Sequence, residues 1–312
     1  RETGCRRHAG AFGLMPELPE VKTVRAGLAA SITGAKVREV IVHDVRSLKR
    51  HPGSPEDFVA TLTGATIASV VRRGKFLWLP LNVDDLALVG HLGMSGQMLI
   101  RTPGFEADKL NRVTIKLDAA EGPLEFRFVD QRIFGSLALD RLVATDDGGA
   151  GGFGSEIALI PTQAAHIARD PLDPHFDEAV VVSKLRARSA GIKKILLDQQ
   201  LMSGVGNIYA DEALWRAKLH YDQPANSLSV AKTRELIAHV TEILAAAVKV
   251  GGTSFDEQYK NVNGESGYFE ISLNAYGMTG RPCNRCGKPI KRESWMNRGS
   301  HFCPNCQKLR KP

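Results

Sequence analysis

Two Cys-x-x-Cys turns constrain this chain more than any other feature of it. Cys283 and Cys286 form the first, Cys303 and Cys306 the second, and sixteen residues separate them. Each turn lets two thiolates bite one ion, and two turns close a tetrahedron, which is the spacing of a zinc ribbon. Four sulfurs leave no open position for water, so the expectation is one structural Zn2+ per chain and no metal catalysis. Unliganded surface thiols or a redox pair would be the other use of the same residues. Cys5 stands alone near the start. A secreted disulfide framework would pair its cysteines across a small, loop-rich domain, so a reducing, cytoplasmic setting is expected instead.

Between the pairs lies "GKPIKRESWMNRGSHF", which reads as a β-hairpin with Asn297, Arg298 and Gly299 at its tip. A metal-locked hairpin that displays an arginine can enter a groove or clamp a phosphate. The charge distribution agrees. The 312-residue chain carries a net +7, and residues 283–312 supply eight basic side chains and one acidic one. The remaining 282 residues balance at 33 basic against 33 acidic. A small basic module at the end of a neutral body points to a polyanion, most often nucleic acid, although a solvated basic tail has the same composition. No apolar run approaches the ~18 residues that would read as a membrane span.

Hydrophobic patterning divides the rest. Val21, Val24, Leu28 and Ile32 recur at helical spacing and predict a helix from Pro16 to Ser31. The segments "KVREVIVH", "TIASVV", "KFLWLPL", "LALVGHLG", "QMLI", "RVTIKL" and "LEFRFV" then read as strands of a β-sandwich or barrel. "DDGGAGGFG", residues 146–154, reads as a flexible join. Beyond it, "VVVSKLRAR", "KKILLDQQLM", "NIYADEALWRAKL" and "RELIAHVTEILAAAVKV" are helical, the last stopped by Gly251 and Gly252. The first fourteen residues, "RETGCRRHAGAFGL", contain no signal-peptide core and read as an extension outside the mature protein, with Met15 as the start.

Several turns carry chemistry. Asn207 after "SGVG" suits a helix cap, and exposed amides at such a helix start suit a phosphate. Arg72, Arg73 and Lys75 surround a glycine in "VVRRGKFLW", as a phosphate contact or a solvated turn. Met94 in "HLGMSG", with Arg132 and Phe134 in "VDQRIFG", are either core residues folded back or wedges that fill the gap left by an extruded base. Removal of Met15 would expose Pro16 as a secondary amine with a pKa near ~8, a ready nucleophile beside the acid/base candidate Glu17. Glu20 lies one helical turn further. Proline and carboxylates in a first turn are also ordinary helix chemistry.

Together, "MPELPEV", "RRGKFLW", "HLGMSG", "DQRIFG", "GVGNIYADEAL", "NGESGYF" and the four-cysteine finger resemble the formamidopyrimidine-DNA glycosylase family, in family order from residue 15 to residue 306. The resemblance implies an α+β architecture: an N-terminal β-sandwich with its leading helix (16–145), a linker (146–160), a helix–two-turn–helix domain (161–275) and a zinc-ribbon finger (276–312). It implies a monomer acting on double-stranded DNA with oxidised bases or abasic sites, associated with the nucleoid and not with a membrane. Pro16 would be the nucleophile, Glu17 the acid/base group and Lys75 a phosphate contact near the lesion. Asn207 and Arg298 would hold phosphates, and Met94, Arg132 and Phe134 would occupy the space of the flipped nucleotide. His91, Lys193 and Tyr268 complete the DNA-contacting set. The implied reaction releases an oxidised purine such as 8-oxoguanine or a formamidopyrimidine through a Pro16 Schiff base, then cuts the strand by β,δ-elimination.

Three departures bear on this. Residues before Met15, if retained, make the Pro16 nitrogen an amide without a nucleophilic lone pair. Ile133 stands where some relatives carry a second arginine, and Glu265 where some have lysine. An endonuclease VIII-like enzyme for oxidised pyrimidines is the nearest rival, although Leu18 fits the purine branch better than the glycine typical of the other. A non-catalytic zinc-ribbon DNA-binding protein is the rival from another class.

Overall fold

The structure, a computed structural model, describes residues 16–83, 85–252, 262 and 273–310. It opens with α1 (Leu18–Ile32), which presents Val21, Val24, Leu28 and Ile32 to the interior as the spacing predicts. The expected start at Pro16 is two residues early. Glu17 is the cap, with extended backbone, and Pro19 occupies the first turn, where a missing amide proton costs nothing.

Two antiparallel sheets follow. The first has the order β1-β6-β7-β5, from β1 (Lys36–Val42), β6 (Asn111–Ala119), β7 (Gly122–Asp130) and β5 (Gly96–Arg101). The second has the order β2-β3-β4-β8-β9, from β2 (Val71–Arg73), β3 (Phe76–Pro80), β4 (Leu86–His91), β8 (Ser136–Ala144) and β9 (Leu159–Pro161). Val113, Ile115, Phe126 and Phe128 of one sheet share a single buried core with Leu77, Leu79, Leu88 and Leu137 of the other, capped by α1. This is the expected sandwich, held by apolar side chains alternating inward from both layers.

Several expectations are corrected. In "TIASVV" only Val71 enters a strand, while Thr66 and Ile67 make isolated bridges to Lys36 and Leu81. Helix α2 (Pro55–Leu62), capped by Ser54, and strands β8 and β9 were not foreseen. The glycine-rich segment is not a flexible join. Phe153 and Arg72 exchange backbone hydrogen bonds at 2.8 and 3.0 Å, Arg73 donates to the Gly151 carbonyl at 2.7 Å, and a Cβ on Gly151 would lie 1.9 Å from the Leu159 carbonyl oxygen. Since β9 pairs with β8, the first domain runs through Pro161, beyond the expected boundary at 145.

The second body packs α3 (Glu178–Arg186), α4 (Ile192–Leu196), α5 (Asn207–Arg216) and α6 (Val230–Lys249) around their own core. The helix expected across "KKILLDQQLM" stops at Leu196. Leu18, the first residue of α1, is fully buried in this second core, to which Phe302 of the finger also belongs. Burial of one such leucine is worth roughly 2 kcal/mol, so α1 fastens one domain to the other at its first turn. The finger is a hairpin of β10 (Lys291–Trp295) and β11 (Arg298–Phe302), seated with its buried cysteines against Trp215 of α5.

Candidate active site

The site forms where three turns meet. The Leu18 amide donates to the Gly204 carbonyl at 3.1 Å, which draws the start of α1 onto the turn between α4 and α5. Gly204 adopts φ +89°, and a Cβ there would lie 2.5 Å from the Leu18 side chain. At Gly206 a Cβ would lie 2.0 Å from the Glu17 carboxyl carbon. A Cβ on Gly74, between β2 and β3, would lie 2.6 Å from Ser203 Oγ. The glycines of "SGVG" and "RRGK" therefore serve close approach between elements, a need that the sequence alone did not disclose.

Glu17 lies at the centre of this contact and is 4% exposed. Its backbone amide donates to Glu20 Oε2 at 3.0 Å, and its own Oε1 accepts from the Ile208 amide at 3.0 Å. Its Oε2 is buried without a hydrogen-bond partner among the described residues. Burial raises its pKa to about 7; Lys75 and the amides of Ile208 and Tyr209 oppose the rise, and Glu20 adds to it. A carboxyl that is half protonated near neutrality can both give and take a proton. Pro16, directly before it, is buried.

Lys75 is half-buried on the turn after β2. Burial holds its pKa below that of an ordinary lysine, with Glu17 and Glu20 opposing and Arg298 reinforcing the shift. The turn is braced from beneath by a fully buried pair, Arg72 and Asp170, at 2.9 Å, and Arg72 also donates to the Gly74 carbonyl at 2.8 Å. Arg72 and Arg73 are thus interior residues rather than phosphate contacts.

Arg298 is exposed at the first position of β11, opposite Trp295. The hairpin tip itself is Met296 and Asn297, at φ +44° and +60°. Asn207 is the first residue of α5, whose cap is Gly206 rather than Asn207. Its Nδ2 donates to the Gly299 carbonyl at 3.1 Å, which ties the helix start to the finger beside Arg298. Lys193 does not join the DNA-facing set. It is 0% exposed and its Nζ lies 2.6 Å from Asp211, so it has no surface to offer a phosphate.

The wedge candidates sit on two touching turns of the sandwich. Asp130 accepts from Ser95 Oγ at 2.5 Å, the Arg132 amide at 3.1 Å and the Gly135 amide at 2.8 Å, which shapes the loop before β8 around one carboxylate. Arg132 and Phe134 are exposed on it, and Met94 is half-buried on the neighbouring turn. Ile133 is held at φ +56°, with its carbonyl accepting from Lys49 at 2.6 Å. His91, at the end of β4, accepts from the Gly93 amide at 3.1 Å; burial, then Arg50, Lys49 and Lys75, push its pKa to about 4, so it is neutral. Tyr268 and Glu265 lie outside the described residues.

The Sγ atoms of Cys283, Cys286, Cys303 and Cys306 all lie within 4.8 Å of one another. Trp215 Nε1 donates to Cys283 Sγ at 3.4 Å, and the Cys306 amide approaches Cys303 Sγ at 3.5 Å. Four thiolates at this separation, two of them buried, fit one tetrahedral zinc with Zn–S bonds of about 2.3 Å. The finger carries one structural zinc site.

Among the described residues no helix is long and apolar enough to cross a membrane. Comparison with known proteins gives three family matches along the chain: the formamidopyrimidine-DNA glycosylase N-terminal domain at residues 15–137, its H2TH domain at 167–258, and the zinc finger found in FPG and IleRS at 280–309. The chain is 55% identical to the formamidopyrimidine-DNA glycosylase of Leifsonia xyli over 297 residues, covering 95% of this chain and 100% of the relative. It is 53% identical to that of Salinispora arenicola over 294 residues, 94% of this chain and 96% of the relative. Its fold is similar to that of Lactococcus lactis Fpg in complex with abasic-site DNA, with TM-score 0.76, 33% identity, and coverage of 94% of this chain and 100% of that one. With three domain models in order and relatives matched from end to end, the chain belongs to the formamidopyrimidine-DNA glycosylase family.

Proposed function

We propose that this protein is a bifunctional base-excision repair enzyme that removes oxidised purines from duplex DNA and then cuts the strand. The observation that carries this reading is Glu17, a buried carboxyl that directly follows Pro16 and accepts from the Ile208 amide at 3.0 Å, with burial raising its pKa. The solved relatives include complexes with DNA containing carbocyclic 8-oxo-G and Fapy-dG, which supports an oxidised purine as the substrate here.

In this mechanism the Pro16 nitrogen, freed by removal of the residues before it, attacks the anomeric carbon of the damaged nucleotide. The bond from sugar to base breaks, the base leaving with the proton that the Pro16 nitrogen gives up, and Glu17 supplies a proton to the sugar oxygen as the ring opens. The resulting iminium withdraws electrons from the neighbouring carbon, whose proton is then lost. β-Elimination expels the 3′ phosphate and δ-elimination the 5′ phosphate. Lys75, Asn207 and Arg298 hold backbone phosphates so that the sugar stays against Pro16, an effect of positioning more than of binding strength. Met94, Arg132 and Phe134 fill the vacated stack, with Arg132 toward the orphaned base. The four cysteines hold the zinc that fixes the Arg298 hairpin.

The test is excision from two duplexes. Protein beginning at Pro16 should release 8-oxoguanine opposite cytosine much faster than thymine glycol opposite adenine, and should leave a one-nucleotide gap. Preference for the oxidised pyrimidine would move the protein to the endonuclease VIII-like reading.

A further inference from the structure

Behind the phosphate-facing residues lies a buried charged network that the mechanism above does not use. Asp211, on α5, is 1% exposed. Lys193 of α4 places its Nζ 2.6 Å from Asp211 Oδ1. Asp211 Oδ2 accepts from the His301 amide at 2.9 Å and lies 3.1 Å from His301 Nδ1. Lys193 in turn donates to Ser300 Oγ at 2.8 Å and to the Gly299 carbonyl at 3.2 Å. That carbonyl also accepts from Asn207. One carboxylate thus joins two helices to the finger, with every participant buried except Asn207, which is half-buried.

Such a network is a poor choice for stability alone. Removing two charges from water is costly, and well-packed apolar residues of the same volume hold elements together as well or better. What the hydrogen bonds around the Lys193–Asp211 ion pair add is direction, because each of them fixes an angle as well as a distance. The network's position shows where that direction matters. Asp211 stands one helical turn after Asn207, and Gly299, Ser300 and His301 directly follow Arg298.

We propose that Asp211 is a positioning residue that sets the spacing between Asn207 and Arg298, so that two phosphate-holding groups on separate elements engage one DNA backbone together. The proposal rests on the reading of those two residues as phosphate contacts. Lys193 acts within it as the arm that transmits the position of Asp211 to Gly299 and Ser300.

The test uses the full zinc-loaded protein. Asp211→Asn alone strands the buried Lys193 ammonium, so the decisive variant combines Asp211→Asn with Lys193→Met, which leaves no orphaned charge. Four quantities are read: zinc content, thermal unfolding, the kcat and KM split on a lesion duplex, and the salt dependence of binding to a duplex with an uncleavable abasic analogue. The double variant should hold one zinc, raise KM about tenfold with kcat nearly unchanged, and flatten the slope of log Kd against log salt by about 0.9, the loss of one phosphate contact. A folded, zinc-loaded double variant with the parent KM and slope would overturn the proposal. If the double variant does not fold, Ser300→Ala, which removes one Lys193 contact, is read instead. It should shift KM in the same direction by about threefold, and an unmoved KM and slope would overturn the proposal equally. Arg298→Ala separates the two layers: an unchanged slope there removes the phosphate reading itself, whereas a flattened slope with no effect of the network variants removes only the role of Asp211.

Discussion

The Glu17 carboxylate accepts a hydrogen bond from the Ile208 amide at 3.0 Å across 191 residues of chain. This contact puts the acid/base candidate of the sandwich at the positive end of a helix in the other domain, where an anion is favoured. The site exists only when both domains are folded and docked, because its carboxyl belongs to one and the donors that hold it to the other.

Burial lifts the Glu17 pKa from 4.5 to about 7. Between these values the unfolded chain has released a proton that the folded site still holds, so ionisation favours unfolding. The stabilising effect of the neutral form is complete below about pH 4.5 and lost as pH rises through about 7. Glu17→Gln cannot ionise. Relative to the parent, its melting temperature should rise between about pH 5 and pH 8, by an amount equivalent to a few kcal/mol at most. Its base excision should fall by about 100-fold or more. Parallel melting curves for the two proteins across this range would contradict the assigned shift.

Gly206→Ala probes the same carboxyl from the other side. The backbone there, at φ −121°, accepts any residue, so the effect is purely one of space: the added methyl would lie 2.0 Å from the Glu17 carboxyl carbon. Displacing that group should cost about 1–3 kcal/mol of stability and most of the excision rate, with zinc content unchanged. Thermal unfolding and single-turnover excision would show both effects.

Much of this was legible in the sequence, and what was not has a physical reason. The cysteine spacing, the helical repeat of Val21, Val24, Leu28 and Ile32 and most strands follow from local patterning. The motif residues Glu17, Lys75, Asn207 and Arg298 converge on one junction. The glycine-rich segment misled because composition reports backbone freedom, whereas Gly151 and Gly152 are glycines so that Trp78 and neighbouring backbone can approach. Lys193 misled because a lysine in a basic stretch reads as exposed; its counter-charge, Asp211, lies eighteen positions away and becomes its neighbour only through tertiary packing. No periodicity could have announced Lys49 as a partner of Ile133.

Lys49→Ala tests that last pairing. The Lys49 ammonium holds the Ile133 carbonyl at 2.6 Å while Ile133 sits in the left-handed region, which a β-branched side chain strongly disfavours. Losing the bond should relax the loop that carries Arg132 and Phe134. Stability should drop by about 0.5–1.5 kcal/mol. Excision should lose its dependence on the opposite base before strand cutting at a preformed abasic site is affected; equal losses in both assays would count against a role in holding the wedge.

Zinc removal should act through position alone. Chelation, or Cys303→Ser at a fully buried ligand, should release the hairpin that carries Arg298 and weaken binding to lesion duplexes, while the sheet signal in circular dichroism persists. Added zinc should restore binding to the chelated protein. Unchanged affinity in the metal-free state would show that the finger is dispensable for DNA.

The Pro16 nitrogen should become covalently joined to the sugar of the damaged nucleotide. Protein that begins at Pro16 is incubated with an 8-oxoguanine duplex, reduced with borohydride, digested, and read by mass spectrometry for the residue that carries the sugar. A reduced adduct on Pro16 is the expected result. An adduct on a lysine, or no adduct from protein that binds the duplex, would contradict it.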